Sequence, residues 1–254
     1  MSDVTAHDPS TTGLATGKLV EGAQEVQRDL IHGSSGYRAI LADPPWQMKM
    51  WSAKGMGRCP DGPALTRSQS RQNNPERHYA TMSLDAIKAL PVGELAAPDS
   101  ILFMWAVDPL LPQAFEVGRA WGFEYKTVAF VWAKLRRESS ERHKLHEDPW
   151  HKLFPIGTGY WTRANPEICL LFTRGKPQRN SAAVRKLLVE PRREHSRKPD
   201  RVRADIEALV DGPYLELFAR SAAPGWDSWG NQTERFSPAN DPSTDQHRED
   251  DTRS

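Results

Sequence analysis

The chain has 254 residues, 38% of them hydrophobic, so it can bury one sizeable core and suggests one domain, or two at most. Its 34 Lys and Arg nearly balance 33 Asp and Glu, for a formal charge of +1. No apolar run approaches the ~20 residues that span a bilayer, Met1 to Lys18 is polar with no signal-peptide apolar region, and Cys59 and Cys169 form no CxxC pair. No membrane association is expected, and the cysteine usage suits a reducing location. The expectation is an intracellular, cytoplasmic protein that associates with the nucleoid.

In chain order, residues 1–35 are rich in Ser, Thr, Gly and Gln and read as a disordered tail, with a short helix around Leu19–Leu30. The run Tyr37-Arg38-Ala39-Ile40-Leu41-Ala42 is apolar enough for a buried strand, with Ala39–Ala42 at its centre. Asp43-Pro44-Pro45-Trp46 follows at once. Gln47 to Arg77 is a long insertion rich in Gly, Arg, Gln and Ser. Ser83 caps a helix running toward Leu90. Ser100 to Ala106 is a second strand, Pro109 to Trp121 a helix closed by Gly122, and Thr127 to Ala133 a third strand. A basic, histidine-containing stretch occupies Lys134 to Thr162, and Glu167 to Thr173 is a fourth strand, with Cys169 a buried thiol. Pro199 to Val210 is a helix with proline near its first turn, and Tyr214 to Ala219 is the last strand. From Ser237 a disordered acidic tail is expected, leaving residues 36–236 as the folded domain. Alternation of this kind argues for an α/β fold, a mostly parallel sheet flanked by helices on both faces.

The chemistry concentrates at Asp43-Pro44-Pro45-Trp46. A strand's carboxyl end is where open α/β sheets place their ligand crevice. Two prolines remove two N–H donors and leave their carbonyls as rigid acceptors beside a carboxylate and a large aromatic ring. Such a pocket suits a planar group bearing an NH₂, for instance an extruded nucleobase: Asp43 and a proline carbonyl accept from the amine, and Trp46 stacks on the ring or walls its pocket. Charge points the same way. Lys134 to Arg203 holds 18 Lys and Arg against 8 Asp and Glu, a balance that suits a polyanion. Solvated helix and loop faces are the plainer reading of the same charge. Lys49, Lys54, Arg58, Arg67, Arg71 and Arg77 in the long insertion admit two readings, closure over a phosphate backbone or a disordered insertion. His143, His146 and His151 lack a zinc spacing, and no metal is assigned.

Several blocks together resemble, in order, the adenine-amine methyltransferase family typified by the catalytic subunit of the mRNA adenosine methyltransferase (MT-A70-like). They are Asp43 to Trp46, His78-Tyr79-Ala80-Thr81-Met82-Ser83, Phe103-Met104-Trp105, and Gly159-Tyr160-Trp161 with Asn165, Glu167 and Cys169. His195 to Asp200, Glu216 to Arg220, and Trp226 through Gly230-Asn231-Gln232 complete the set, which spans about residues 37–235. The resemblance implies a Rossmann-like fold that uses S-adenosylmethionine, permuted so that the catalytic block precedes the main cofactor-binding strand. It implies Asp43, Pro44, Pro45 and Trp46 as catalytic residues. Asp43, Tyr79, Lys198, Glu216, Arg220, Asn231 and Gln232 are its implied cofactor contacts, Lys198 meeting the cofactor's carboxylate or shaping its pocket. The chain departs from the mRNA enzyme between Arg220 and Trp226, where a longer loop with a His-Asn pair is missing; Ser221 is the candidate replacement. The implied activity is methyl transfer to N(6) of adenine in DNA. An RNA adenine methyltransferase and a catalytically inactive nucleic-acid-binding partner are the alternatives, and a homo- or heterodimer stays open. No glycine-rich dinucleotide loop supports a nicotinamide cofactor.

Overall fold

The computed structural model describes residues 36–47, 81–136, 153–155, 161–193 and 197–230. Expectations for the two tails, most of the long insertion and the histidine stretch lie outside these residues. In chain order the elements are β1 (Tyr37–Ala42), α1 (Leu84–Lys88), α2 (Val92–Leu95), β2 (Ala96–Ala106), a 3₁₀ turn (Asp108–Leu110), α3 (Leu111–Ala120), β3 (Glu124–Leu135), β4 (Glu167–Arg174), β5 (Leu187–Pro191), α4 (Arg201–Leu209), β6 (Tyr214–Leu217) and β7 (Trp226–Trp229). The seven strands form one sheet in the order β5-β3-β4-β2-β1-β6-β7. β4 runs antiparallel to both neighbours, and every other pairing is parallel.

Strand periodicity explains the layers, since successive side chains leave a strand on opposite faces. Ile40, Leu102, Met104, Leu170 and Leu215 build one core with Ile87, Val92 and Val117 from α1, α2 and α3 and with Trp121 just past α3. Ala39, Leu41, Phe103, Trp105, Cys169 and Leu188 build a second with Val202 and Ile206 of α4. Helices thus cover both faces, as the alternating pattern predicts. Among the described residues no helix is long and apolar enough to cross a membrane.

Several boundaries move for identifiable reasons. Pro109 and Pro112 supply no N–H donors, so the predicted helix starts as a 3₁₀ turn and becomes α-helical at Leu111. Ser83 caps α1 as expected, its Oγ accepting from Ala86 N–H at 3.2 Å. The last predicted strand ends at Leu217, two residues early, because Phe218 takes φ = 62° and turns the chain. It is also not the last: β7 follows it, and β5 adds an edge strand at the opposite side.

Helix α3 meets β4 at Gly118. A Cβ there would sit 2.4 Å from the Phe172 ring, which is fully buried and flanked edge-on by Phe115 and Tyr125. A helical alanine gains ~1 kcal/mol of propensity over glycine, whereas overpacking a held ring costs ~1–3 kcal/mol. Gly118→Ala is therefore expected to lower the urea midpoint; an unchanged or raised midpoint would show that the ring moves freely.

Candidate active site

From β1 the chain steps one way across the sheet to β2 and later returns to β6 on β1's other side. A crevice opens beyond the carboxyl ends of strands at such a reversal. Asp43 follows β1 directly, its N–H directed at the Leu217 carbonyl at the end of β6 (3.5 Å). The two prolines bend the next step. Trp46 N–H donates to the Pro44 carbonyl (2.8 Å), and Met82 N–H to the Pro45 carbonyl (2.9 Å). Each carbonyl therefore already accepts one backbone hydrogen bond and keeps its second lone pair.

The bend sends the tetrapeptide's side chains in different directions. Asp43 lines the cleft. Trp46 turns back into the first core at 8% exposure, with Nε1 donating to the Trp105 carbonyl (3.3 Å). Its ring is packed with core residues, and the indole lining this cleft belongs to Trp105. Pro44 and Pro45 shape the bend between them.

On one wall, Lys198 enters just ahead of α4. Its Nζ donates to both Asp43 oxygens, at 2.8 and 2.7 Å. It lies 3.4 Å from Glu167 Oε2 and 5.5 Å from the centroid of the Trp105 indole. Glu167, the first residue of β4, also accepts from Lys134 near the end of β3, and Lys134 Nζ lies 5.3 Å from the Trp132 ring. Charges thus alternate from Asp43 through Lys198 and Glu167 to Lys134, with an indole beside each ammonium. Burial pushes the Glu167 carboxyl up, but Lys198 and Lys134 pull harder and leave it below the ordinary range. Burial pushes Lys198 down, but Asp43 and Glu167 outweigh it and hold the ammonium above its usual value. Burial, reinforced by the Asp43 charge, raises the Cys169 thiol well above its usual value, so it stays protonated and inert.

The other wall comes from β6 and the turn after it. Glu216 accepts from Arg203 Nε at 2.6 Å. The same guanidinium donates from Nη2 to Ser221 Oγ (3.2 Å). Arg220 lines the cleft beside them. Phe218, in the left-handed region, also faces the cleft, its ring edge-on to Trp229 at 5.4 Å. After β7, Gly230 passes so close to Ala219 that a Cβ would lie 2.5 Å from that residue's carbonyl oxygen. Only glycine allows this approach.

The family model described as MT-A70 matches residues 37–232. The chain belongs to the MT-A70 family. It is 32% identical to the Type II methyltransferase M.MunI of Mycoplasma sp over 204 residues, covering 76% of each chain. It is 28% identical to an Arabidopsis thaliana N(6)-adenosine-methyltransferase MT-A70-like, over 77% of this chain and 24% of that protein. It is also 27% identical to the human N(6)-adenine-specific methyltransferase METTL4, over 82% of this chain and 39% of that protein.

Of the MT-A70 residues singled out in the sequence, the fold brings Asp43, Lys198, Glu216, Arg220 and Ser221 to one cleft across a separation of up to 178 positions. Tyr79, Asn231 and Gln232 lie outside the described residues, as do His143, His146 and His151. Sequence reading assigned no role to Trp105, Glu167, Lys134 or Arg203. Trp105 and Glu167 stand in family blocks, a signal that could have found them. Lys134 and Arg203 carry none, because their importance comes from a partner on another element.

Proposed function

We propose that this MT-A70 member transfers a methyl group from S-adenosylmethionine to the exocyclic N(6) amine of adenine in DNA. The observation that carries the reading is the Asp43 carboxylate, gripped by Lys198 on both oxygens in a cleft at the strands' carboxyl ends. The donor set of the cleft suits the cofactor. A carboxylate such as Glu216 accepts from a ribose diol, and cationic Lys198 or Arg220 matches an amino-acid carboxylate. When bound, the cofactor supplies an electrophilic methyl group on a sulfonium.

An adenine amine is a poor nucleophile because its lone pair is delocalised into the ring. Asp43 accepts one amine hydrogen and the second lone pair of the Pro44 carbonyl accepts the other, which localises the nitrogen pair. Lys198 keeps both Asp43 oxygens oriented. When a bound donor supplies its methyl group to the amine nitrogen, Asp43 would take the proton that this nitrogen then holds in surplus and release it to solvent. Holding two reactants in line supplies much of the acceleration. A duplex target must first be extruded from the stack.

Part of the basic excess is internal. Lys134, Arg193, Arg197, Lys198, Arg201 and Arg203 all form ion pairs within the chain. Arg185, Lys186 and Arg192, flanking the edge strand β5, are exposed and are the proposed phosphate contacts. Affinity for a DNA duplex is expected to fall about tenfold or more between 50 and 200 mM salt, in line with a few released counterions. Replacing Arg185 and Lys186 by Gln should flatten the slope by about 2 on a logarithmic plot. A slope indifferent to both changes removes this face from the binding surface.

DNA as the substrate follows the relative named a Type II methyltransferase, matched over 76% of both chains; RNA is the second reading, favoured by the relative named for adenosine. Labelled S-adenosylmethionine with separate pools of duplex DNA, single-stranded DNA and RNA decides between them. N(6)-methyladenine in DNA supports the proposal, label confined to RNA replaces it with the second reading, and no label in any pool overturns it in favour of an inactive binding partner.

A further inference from the structure

One wall of the cleft is tied together by a residue that sequence motifs pass over. Arg203 sits in the first turn of α4, with a side chain only 17% exposed. Its guanidinium reaches Glu216 at the end of β6 through Nε (2.6 Å) and Ser221 in the following turn through Nη2 (3.2 Å to Oγ, 3.5 Å to the carbonyl). The Nη1 side faces Asp200 at 3.9 Å. One planar, rigid fork thus ties a helix, a strand end and a turn together. The turn is the short Ser221–Gly225 segment, closed on itself by Trp226 N–H donating to the Ala223 carbonyl (3.1 Å) and anchored at its first residue by this arginine. Arg203, Glu216 and Ser221 all line the cleft.

We infer that Arg203 is the positioning residue of the cofactor pocket, holding Glu216 as an ionised acceptor and Ser221 as its neighbour in one fixed arrangement toward the donor. This rests on the methyl-donor reading above. The ligand chemistry it prepares for is a vicinal diol, whose two hydroxyls donate to a single carboxylate. Ser221 adds a hydroxyl that accepts from Arg203 and remains able to donate to the same ligand.

The surroundings of Glu216 supply a signature that packing alone lacks. Arg203 and Asp200 face it from the α4 side, Asp43 from the end of β1, and Lys198 and Arg220 share the cleft. Its register partner on β7, Ser228, is uncharged. Burial raises the Glu216 carboxyl, Arg203 opposes that, and the nearby Asp43 and Asp200 charges leave it net above its ordinary value. The ionised form is the acceptor, so donor affinity is lost as pH falls through this raised value. Removing the opposing cation moves that loss to higher pH.

The test is calorimetric binding of S-adenosylhomocysteine to the full chain between pH 5 and 8, with steady-state kinetics alongside. Arg203→Met is expected to weaken binding by about tenfold or more at neutral pH and to shift the acid limb upward. The KM for the methyl donor should rise by more than kcat falls, because Asp43 and Lys198 stay in place. Arg203→Lys restores the charge, so the acid limb returns toward its original position, while the Ser221 contact stays lost. If Arg203→Met fails to fold, Glu216→Gln carries the test: binding weakens and the acid limb disappears. Unchanged affinity and limb in Arg203→Met, or a retained limb in Glu216→Gln, overturns the inference. Absence of binding by the unaltered protein overturns the methyl-donor reading instead.

Discussion

Asp43→Ala is expected to lower methyl transfer by ~10³-fold or more, with the protein still folded and still able to bind S-adenosylhomocysteine. Removing one preorganised partner of the developing charge commonly costs 10²–10³-fold, and in the proposed reaction the lost group is the charge-assisted acceptor of the reacting amine. The fold survives because the substitution leaves Lys198 one anion, Glu167 at 3.4 Å, and because Asp43 is only in part buried, at 22% side-chain exposure. Asp43→Asn refines the experiment. The amide keeps the shape and one acceptor oxygen but loses the charge and places a donor beside the Lys198 ammonium. Its activity should be close to that of the alanine variant. Initial rates with labelled donor, set against thermal unfolding of the same samples, give the answer. Retention of more than about a tenth of the activity in either variant would show that Asp43 is not the acceptor that prepares the amine.

Lys198→Met carries the second large effect, and on two properties at once. The side chain bridges two carboxylates, Asp43 and Glu167, at 16% exposure. Removing it leaves two anions facing one another without their common cation. Breaking a buried pair by deleting one partner costs ~3–5 kcal/mol; the partial exposure of all three groups places the expectation at about 3 kcal/mol or slightly below. Methyl transfer should fall by ~10²-fold, since Asp43 loses the contact that orients both its oxygens. The stability loss has a defined pH window. Glu167, depressed below its ordinary 4.5, contributes stability above that pH and loses it as pH falls through its lower folded value. Lys198, raised above its ordinary 10.5, contributes below that pH and loses it as pH climbs through its higher folded value. The gap between wild type and variant should therefore be widest from about pH 5 to 10 and close toward both extremes. Denaturant midpoints across that range test it. A gap that ignores pH would mean that the lysine acts through packing of its alkyl chain against Trp105 and not through charge.

The order of buried strands and amphipathic helices was readable from local pattern, because both periodicities are properties of the chain itself. Ile40, Leu102 and Leu215 mark their strands whether or not the fold is known. Strand direction was not readable. Glu167 to Arg174 has the same apolar run as a parallel strand, and only its pairing with β2 and β3 makes it antiparallel. β5 and β7 escaped notice for compositional reasons. Leu187 and Val189 are exposed on an edge strand, and Trp226-Asp227-Ser228-Trp229 carries a polar pair within four residues.

The site divides in the same way. Asp43 could be singled out because two adjacent prolines restrict the backbone by covalent geometry, which no tertiary contact can alter. The direction taken by Trp46 was open until Met82 and Trp105 were in place: a side chain large enough to stack on a base is also large enough to fill a core, and the bend at Pro44 and Pro45 decides for the core. Lys198 and Glu216 were legible as charged residues at element ends, and their partners were not. A salt bridge joins positions by distance in space, and Asp43 lies 155 residues from Lys198.

By itself the sequence determined the alternating α/β order, the rigid acceptor beside β1 and the ordered blocks of the MT-A70 family. Each depends on local stereochemistry or on runs of residue type. Only the tertiary structure decided that Asp43 is paired with Lys198, that Glu167 and Lys134 extend that pairing, and that Arg203 supports Glu216 and Ser221. Those are through-space electrostatic contacts between distant segments, and nothing along the chain encodes their distances until the sheet has closed around them.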